Sequence, residues 1–582
     1  MQVESSEQIR NITLAGHADT GKTTLASAAL FTAGVANRLQ KVEDGGTITD
    51  FDSEEIARGH SIGLAPCFVP WRRHKINIVD APGSGIFGVE SRAAVRATDA
   101  LVLVVSAASG VEVTTERMWR FAGRIEQPVL IHVNKLDREN TDFTALVERL
   151  DAKLGHAVTP LQIPIGAESE FTGVVDLVER KAYSFERDGN GAARTIDLPQ
   201  DLEDSVDSWR ERLIEAVAES DDELMELYFE EGTLPDDALE RGLRQAIARR
   251  TLFPLTVGSA LHGIGTARFL DAVVDHLPNP LDRGTFPATD VGGQEIELAT
   301  ATDGPFAALV FKTLNDPFTG KLSLFRVVSG TLKGDTPVLN TRAEEREKVG
   351  QPMAVQGKTG TAVERLVTGD IGALAKLKHT LSGDTLCDPA RTVKLGWVVV
   401  RPPAMSFAVE PKTQGDEEKM SDSLQRLMEE DLGLSAGRDP QTNEMLLSGT
   451  GQRHVEVAVN RLKTRYKVDV VLHPPTVPYR ETIRRAADGH GRHKKQSGGR
   501  GQFADCKIRI EPIEEGQEFE FKDEIFGGAI PQGFRPAVEK GIQEARLRGF
   551  LAGYPVVDFR VRLLDGQYHD VDSSEMAFKV AG

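Results

Sequence analysis

The stretch Arg10–Val35, RNITLAGHADTGKTTLASAALFTAGV, decides how the front of this chain is read. Asn11–Ala15 form an apolar strand-like run, and the residues after Thr24 read as a helix. Between them, Gly16, His17, Ala18, Asp19, Thr20, Gly21, Lys22 and Thr23 fit G-x-x-x-x-G-K-[ST]. Glycines at both ends let backbone N–H groups close around phosphate oxygens at a helix N-terminus. In that arrangement Lys22 reaches the β- and γ-phosphates, Thr23 coordinates Mg²⁺, and Thr24 continues into the helix.

Three further segments follow in order, each closing a predicted strand. KINIVDAPG ends in Asp80-x-x-Gly83: a carboxylate that can hold Mg²⁺ through water, and a glycine whose N–H can meet a γ-phosphate. PVLIHVNKLDREN delivers Asn134, Lys135 and Asp137. A carboxylate there accepts two N–H protons of guanine, which adenine does not offer in that geometry, while Lys135 lays its stem along the base. LTVGSALHGIG places Ser259, Ala260 and Leu261 to close on the guanine oxygen. Each short motif is common alone; the ordered set of four predicts GTP/GDP binding.

Bulk composition sets the frame. The 582 residues correspond to about three to five domains. A 40% hydrophobic, 27% charged composition is that of a globular chain able to bury cores. No apolar run reaches the roughly 18 residues that span a bilayer, and the polar N-terminus has no signal-peptide core. A cytoplasmic protein without a membrane partner is expected. Cys67, Cys387 and Cys506 are far apart and form no C-x-x-C, so they read as inert thiols. The formal charge of −19 argues against generic nucleic-acid binding, averaged over the chain.

With these residues in view, the chain resembles translational GTPases, and elongation factor G in particular. GHADTGKTT is similar to that family's phosphate loop, and RGHSI (58–62) to its first switch. MSFAVEPKTQGDEEKMSDSLQRLMEEDLGL, HKKQSGGRGQF and YHDVDSSEMAF resemble its later domains. The resemblance implies an α/β multidomain architecture. A P-loop GTPase domain over residues 1–280 carries an inserted subdomain at about 158–252, whose acidic SDDELMELYFEEG reads as a solvated helix face. A β-barrel follows at 281–402, beyond the proline-bearing linker LPNPLDRG, and alternating runs such as GKLSLFRVVSG suggest its short strands. Residues 403–476 order as β-α-β-β-α-β, a ferredoxin-like α+β domain. A further α+β domain spans 477–582. The family continues through a helix into a fifth domain, which this sequence, ending at Gly582, is expected to lack.

GHGRHKKQSGGRGQF (489–503) carries Arg492, Lys494, Lys495, Gln496 and Arg500 without an acid, and its glycines predict a loop free of helix and strand. By composition alone it reads as a solvated loop, and His569 as a turn or capping residue. In the family, the equivalent loop and the one matching His569–Ser574 (567–574) form the tip that enters the ribosomal decoding site. The resemblance therefore implies contacts with transfer RNA and messenger RNA, with ribosomal RNA and proteins as further partners of a monomer.

Four positions depart from the family around the γ-phosphate. Ser84 replaces its histidine, Ala18 and His60 replace two gate residues, and Ser61 replaces the switch threonine while keeping a hydroxyl for Mg²⁺. In the family that histidine orients the attacking water. Loss of one such stabilising group costs about 10²–10³ in rate. The expected catalytic set is Lys22, Gly83, Ser84 and His60, with His60 a candidate substitute imidazole, and the metal set is Thr23, Ser61 and Asp80. The sequence thus predicts a translocating GTPase of weak or altered hydrolysis. It leaves open a non-hydrolysing GTP-gated ribosome regulator and a ribosomal-protection GTPase.

Overall fold

The computed structural model describes residues 1–316, 320–496 and 501–582. They form two compact units, Met1–Arg438 with Met445–Pro474, and Asp439–Glu444 with Pro475–Gly582.

The first unit begins with a seven-stranded sheet. Its order is Ala65–Trp71, His74–Asp80, Ile9–Ala15, Ala100–Ser106, Val129–Asn134, Phe253–Val257 and Val158–Pro160. All neighbours pair in parallel except the first two, which form a hairpin. Ala100–Ser106, ALVLVVS, is buried at every position, as a central parallel strand covered by helices on both faces requires. The hairpin turns on Arg72 and Arg73, both at positive φ (44° and 64°), which is costly for side chains with a Cβ. Arg72 bonds Asp275 at 2.6 Å and Trp71 bonds Asp271 at 2.9 Å, anchoring the turn. Strand Val158–Pro160 belongs to this main sheet; the segment after it builds its own four-stranded sheet and the helices Glu203–Ala218, Asp222–Glu231 and Asp236–Arg249.

Beyond the linker lies an eight-stranded antiparallel sheet running from edge strand Glu345–Lys348 to edge strand Thr359–Ala362. Val338 near one edge and Ala354 near the other share a core with Phe325, Val327 and Leu374, so the sheet wraps on itself as a barrel does. It is joined to the seven-stranded sheet by buried polar groups. Lys75 Nζ donates to Asp370 at 2.7 Å, Asn11 links Asn77 to Asp99, and Arg326 donates to Asp99 at 2.5 Å. Lys75 and Arg326 are both 0% exposed. Gln356 pairs its amide with both backbone groups of Phe68, closing the edge of Ala65–Trp71 against further strand pairing.

The ferredoxin-like order is realised as the sheet Ser435–Arg438, Met445–Gly449, Met405–Pro411, Val470–His473. Helices Gln414–Glu430 and Gln452–Tyr466 pack their apolar stripes, including Leu424, Leu427, Val455 and Leu462, onto its core.

The second unit is a four-stranded sheet, Ala487–Lys495, Gln502–Pro512, Phe559–Gln567 and Phe519–Asp523, with helices Arg535–Ala545 and Glu575–Ala581. The loop expected over 489–503 is narrower than its glycines suggest. Residues 489–495 are strand, paired from Gly489↔Ile508 to Lys495↔Gln502. Gly491 marks a close approach instead: a Cβ there would collide with the carbonyl of Ala581.

Candidate functional site

The phosphate loop is built as its glycines require. A Cβ on Gly16 would collide with the Val104 carbonyl, and Gly21, at φ 87°, turns the chain into helix Lys22–Thr32. Asp19 (φ 59°) and Lys135 (φ 67°) both occupy the left-handed region, and Lys135 Nζ donates to the Asp19 carbonyl at 2.5 Å. The strain at both positions is held by this mutual contact. Lys22 is buried, donates to the His17 carbonyl at 2.6 Å, and is pushed down to about 8 by desolvation against the pull of Asp80, Asp19 and Asp50. Gly83 lies against it: a Cβ there would come within 2.5 Å of Lys22 Nζ and 2.7 Å of the Ala18 amide.

Thr23 donates to Asp80 at 2.7 Å and lies 3.1 Å from the Ser61 hydroxyl, which donates to Asp50 at 2.7 Å. Thr49 donates to Asp80 at 3.0 Å. The second oxygens, Asp80 Oδ1 and Asp50 Oδ2, are buried without a hydrogen-bond partner. Burial, then the charge of Asp50, pushes the Asp80 carboxyl up to about 7, and burial raises Asp50. Two orphaned buried carboxylate oxygens beside two hydroxyls suit a hard divalent cation. Among the described residues no group of three or more His, Cys, Asp or Glu side chains forms a metal cage. This smaller donor set leaves room for phosphate and water.

On the base side, Asn134 donates to the Thr20 carbonyl at 2.9 Å and accepts from the Ala260 amide at 2.9 Å, tying three of the four motifs together. Asp137 is nearly buried and lies 3.6 Å from His262, which bonds Asp188 of the inserted segment at 2.7 Å. The Ser259 hydroxyl is buried without a partner. A single cavity of about 380 Å³ is lined by Ala18, Lys22, Thr24, Asp137 and Leu261, and by His60, Ser61, Gly83 and Ser84. His60 and Ser84 thus face one space, and His60 Nδ1 sits 3.4 Å from the Ser61 carbonyl.

Sequence reasoning did not single out Thr49 and Asp50, although both stand in the polar run TITDFD before the switch. It also did not single out the ionic cluster behind them. Asp52 caps helix Ser53–Arg58 with Glu55 reciprocating, and its carboxylate receives Arg461 at 2.6 Å and Arg465 at 2.7 Å. Glu55 also accepts from the Ile62 and Gly63 amides. Burial, with Asp50 and Asp52 nearby, pushes it up to about 8. Beside Ser84, Thr450 donates to the Ile86 carbonyl at 2.7 Å, and His454 packs edge-on against Phe87.

In the second unit, Arg492 stacks over Phe503 and lies 3.6 Å from Asp505, which also holds His490 at 2.9 Å. Lys494, Lys495 and Gln496 are exposed at the end of the hairpin, and Arg500 lies outside the described residues. His569 is a turn cap: its Nδ1 accepts from the Val571 and Asp572 amides.

A seven-stranded α/β sheet carrying these four segments at its strand ends defines a P-loop GTP-binding protein. The family described as Elongation factor Tu GTP binding domain matches residues 7–279. Elongation factor G domain 2 matches 305–389, domain III 400–474 and domain IV 475–582. A crystal structure of ttk003000868 from Thermus thermophilus is similar at TM-score 0.86 and 34% identity, covering 99% of this chain and 83% of that one. The chain belongs to the elongation factor G family of translational GTPases. Among the described residues no helix is long and apolar enough to cross a membrane.

Proposed function

We propose that this chain binds GTP with Mg²⁺, docks on the ribosome and drives movement of transfer RNA and messenger RNA, hydrolysing GTP slowly or with altered groups. One observation carries the reading: the phosphate loop, the Asp80–Gly83 segment, the first switch and the base-recognition residues line a single cavity in a chain matched by the Elongation factor Tu GTP binding domain over 7–279 and by elongation factor G domains beyond residue 305. Thr23, Ser61, Asp80 and Asp50 would hold the cation, which supplies charge neutralisation at the phosphates. Lys22 and the Gly83 amide would bind the γ-phosphate. Asn134 and Asp137 would select guanine. Lys494, Lys495, Gln496, Arg492, Arg500 and the turn at His569 would form the RNA-facing end of the second unit, which carries no acid between Arg492 and Phe503.

Hydrolysis requires a water aligned with the γ-phosphorus, and Ser84 is too short and too weakly basic to replace an imidazole there. His60 faces the same cavity and is the candidate group for that role. Ser84 in the cavity, at the position where the sequence resemblance implies a histidine, favours a second reading, a GTP-gated ribosome binder without turnover. GTP turnover with purified ribosomes, run beside a translocation assay, separates the two. Turnover and translocation that both fall in His60→Ala support the first reading. GTP-dependent ribosome binding without turnover supports the second, and absence of guanine-nucleotide binding removes both.

A further inference from the structure

We propose that Arg453, from the ferredoxin-like domain, enters the nucleotide cavity as a γ-phosphate ligand and supplies in cis the positive charge that Ser84 cannot. The inference rests on the nucleotide-site reading above and deepens it. Arg453 lines the cavity together with His60, Gly83 and Ser84, although it lies 369 residues beyond Ser84 in the chain. Its guanidinium is exposed and makes no hydrogen bond or ion pair with any described residue. The other cations of the cavity are differently placed. Lys22 is engaged by the His17 carbonyl and Lys135 by the Asp19 carbonyl, while Arg138 follows Asp137 on the base side. Lys41 stands on that side too, close enough to Asp188 to join His262 in lowering its carboxyl.

The segment carrying Arg453 is fixed against the short helix Gly85–Phe87, which Ser84 caps. Thr450, three residues before it, donates to the Ile86 carbonyl at 2.7 Å. His454, directly after it, packs on Phe87 with ring centroids 5.6 Å apart and is buried. His454 is itself held by Asp431 at 2.8 Å and by Thr450 at 2.9 Å. Farther along the same helix, Arg461 and Arg465 grip Asp52 at the first switch. Arg453 is thus an uncommitted cation on a helix bolted to both segments that bracket the γ-phosphate position.

The chemistry asks for such a group. Water oxygen forms a bond to the γ-phosphorus as the bond to the bridging β–γ oxygen breaks. That electron pair leaves on GDP, and the proton lost by water goes to the released phosphate or to solvent. Negative charge on the phosphoryl oxygens and the bridge is stabilised by a planar guanidinium donating two hydrogen bonds, and arginines so placed raise rates by about 10³–10⁵. An arginine delivered by a second domain also makes the charge available only while that domain is docked on the switch segments.

The test compares the chain Met1–Gly582 with R453A and R453K. GDP and a non-hydrolysable GTP analogue are titrated with Mg²⁺ present, and single-turnover GTP hydrolysis is measured in parallel. The expected result for R453A is unchanged GDP affinity and melting temperature, about a tenfold or greater loss for the triphosphate analogue, and hydrolysis lowered by about 10² or more. R453K recovers part of the binding and less of the rate, because an ammonium cannot bridge two oxygens. An R453A variant that separates triphosphate from diphosphate as well as wild type does overturns the assignment and leaves the nucleotide site standing. A wild-type chain that binds neither nucleotide overturns the site reading and Arg453 with it.

Discussion

The carboxylate of Asp52, at the N-cap of the switch helix Ser53–Arg58, is buried between Arg461 at 2.6 Å and Arg465 at 2.7 Å. Burial alone would lift this carboxyl, but the two guanidinium charges hold it below the ordinary carboxylate range. Helix Ser53–Arg58, which leads into residues 58–62, is therefore held by charge to helix Gln452–Tyr466. Removing one partner of a buried pair costs about 3–5 kcal/mol, because the other charge stays buried. Arg461→Ala should make the amides of Ser53–Arg58 exchange with deuterium far faster, while Ala100–Ser106 stays protected. Unchanged exchange in the switch helix refutes the clamp.

Base selection should rest on one carboxylate. Asp137→Asn replaces one of its two acceptors with a donor, so guanine loses charge-assisted bonds worth about 3 kcal/mol together, or roughly 100-fold in affinity. Xanthine, which offers a carbonyl where guanine has its amino group, should gain. Titration of GTP and XTP against the variant checks both directions, and a parallel loss for the two nucleotides contradicts the assignment.

The second unit makes its own prediction. Gly491→Ala drives a Cβ into the Ala581 carbonyl, whereas a Cβ at Gly489 first meets the Ile508 side chain at 3.1 Å, which can yield. Overpacking against backbone costs about 1–3 kcal/mol. Loss of exchange protection in helix Glu575–Ala581 should be large for the first variant and small for the second. Equal effects would mean the helix does not press on this strand.

Acid should release the Asp431–His454 contact. Burial raises the Asp431 carboxyl, but the hydrogen bond and charge of His454, with Lys312 and Arg461, bring it to about 2. A carboxyl lowered on folding stabilises the fold above its ordinary value, about pH 4, and loses that contribution as pH falls toward its folded value. Asp431→Asn should be less stable than wild type at pH 7, with the gap closing between about pH 4 and pH 2. Urea midpoints across that range decide it; a constant gap excludes the linkage.

Much of the site can be read from the chain, because each motif sits at the end of an apolar strand and carries its own glycine or carboxylate. Gly16, Lys22, Asp80 and Asn134 announce themselves this way, as does the β-α-β-β-α-β order over 403–476. Asp50 and Thr49 do not. They belong to an irregular segment, and only the fold shows that Asp50 stands beside Asp80. Arg453 is still less legible, since Gly83 and Ser84, with which it shares a cavity, come from another domain. In the second unit, Gly489 and Gly491 resemble loop glycines, yet they lie in a strand that a helix approaches closely. Absence of a side chain records contact as readily as freedom.

The paired charges under the GTPase sheet, Lys75 with Asp370 and Arg326 with Asp99, lie wholly out of water. Separating the two domains they connect would expose four unmatched ions to a dry or half-wetted seam, so the Leu277–Gly284 linker is no joint despite its prolines. Sheet and barrel should then travel as a single body. A bound nucleotide can express itself only through the less deeply rooted parts, the switch segments and the helix that grips them, and a spectroscopic ruler laid across the barrel junction would read the same length in every nucleotide state.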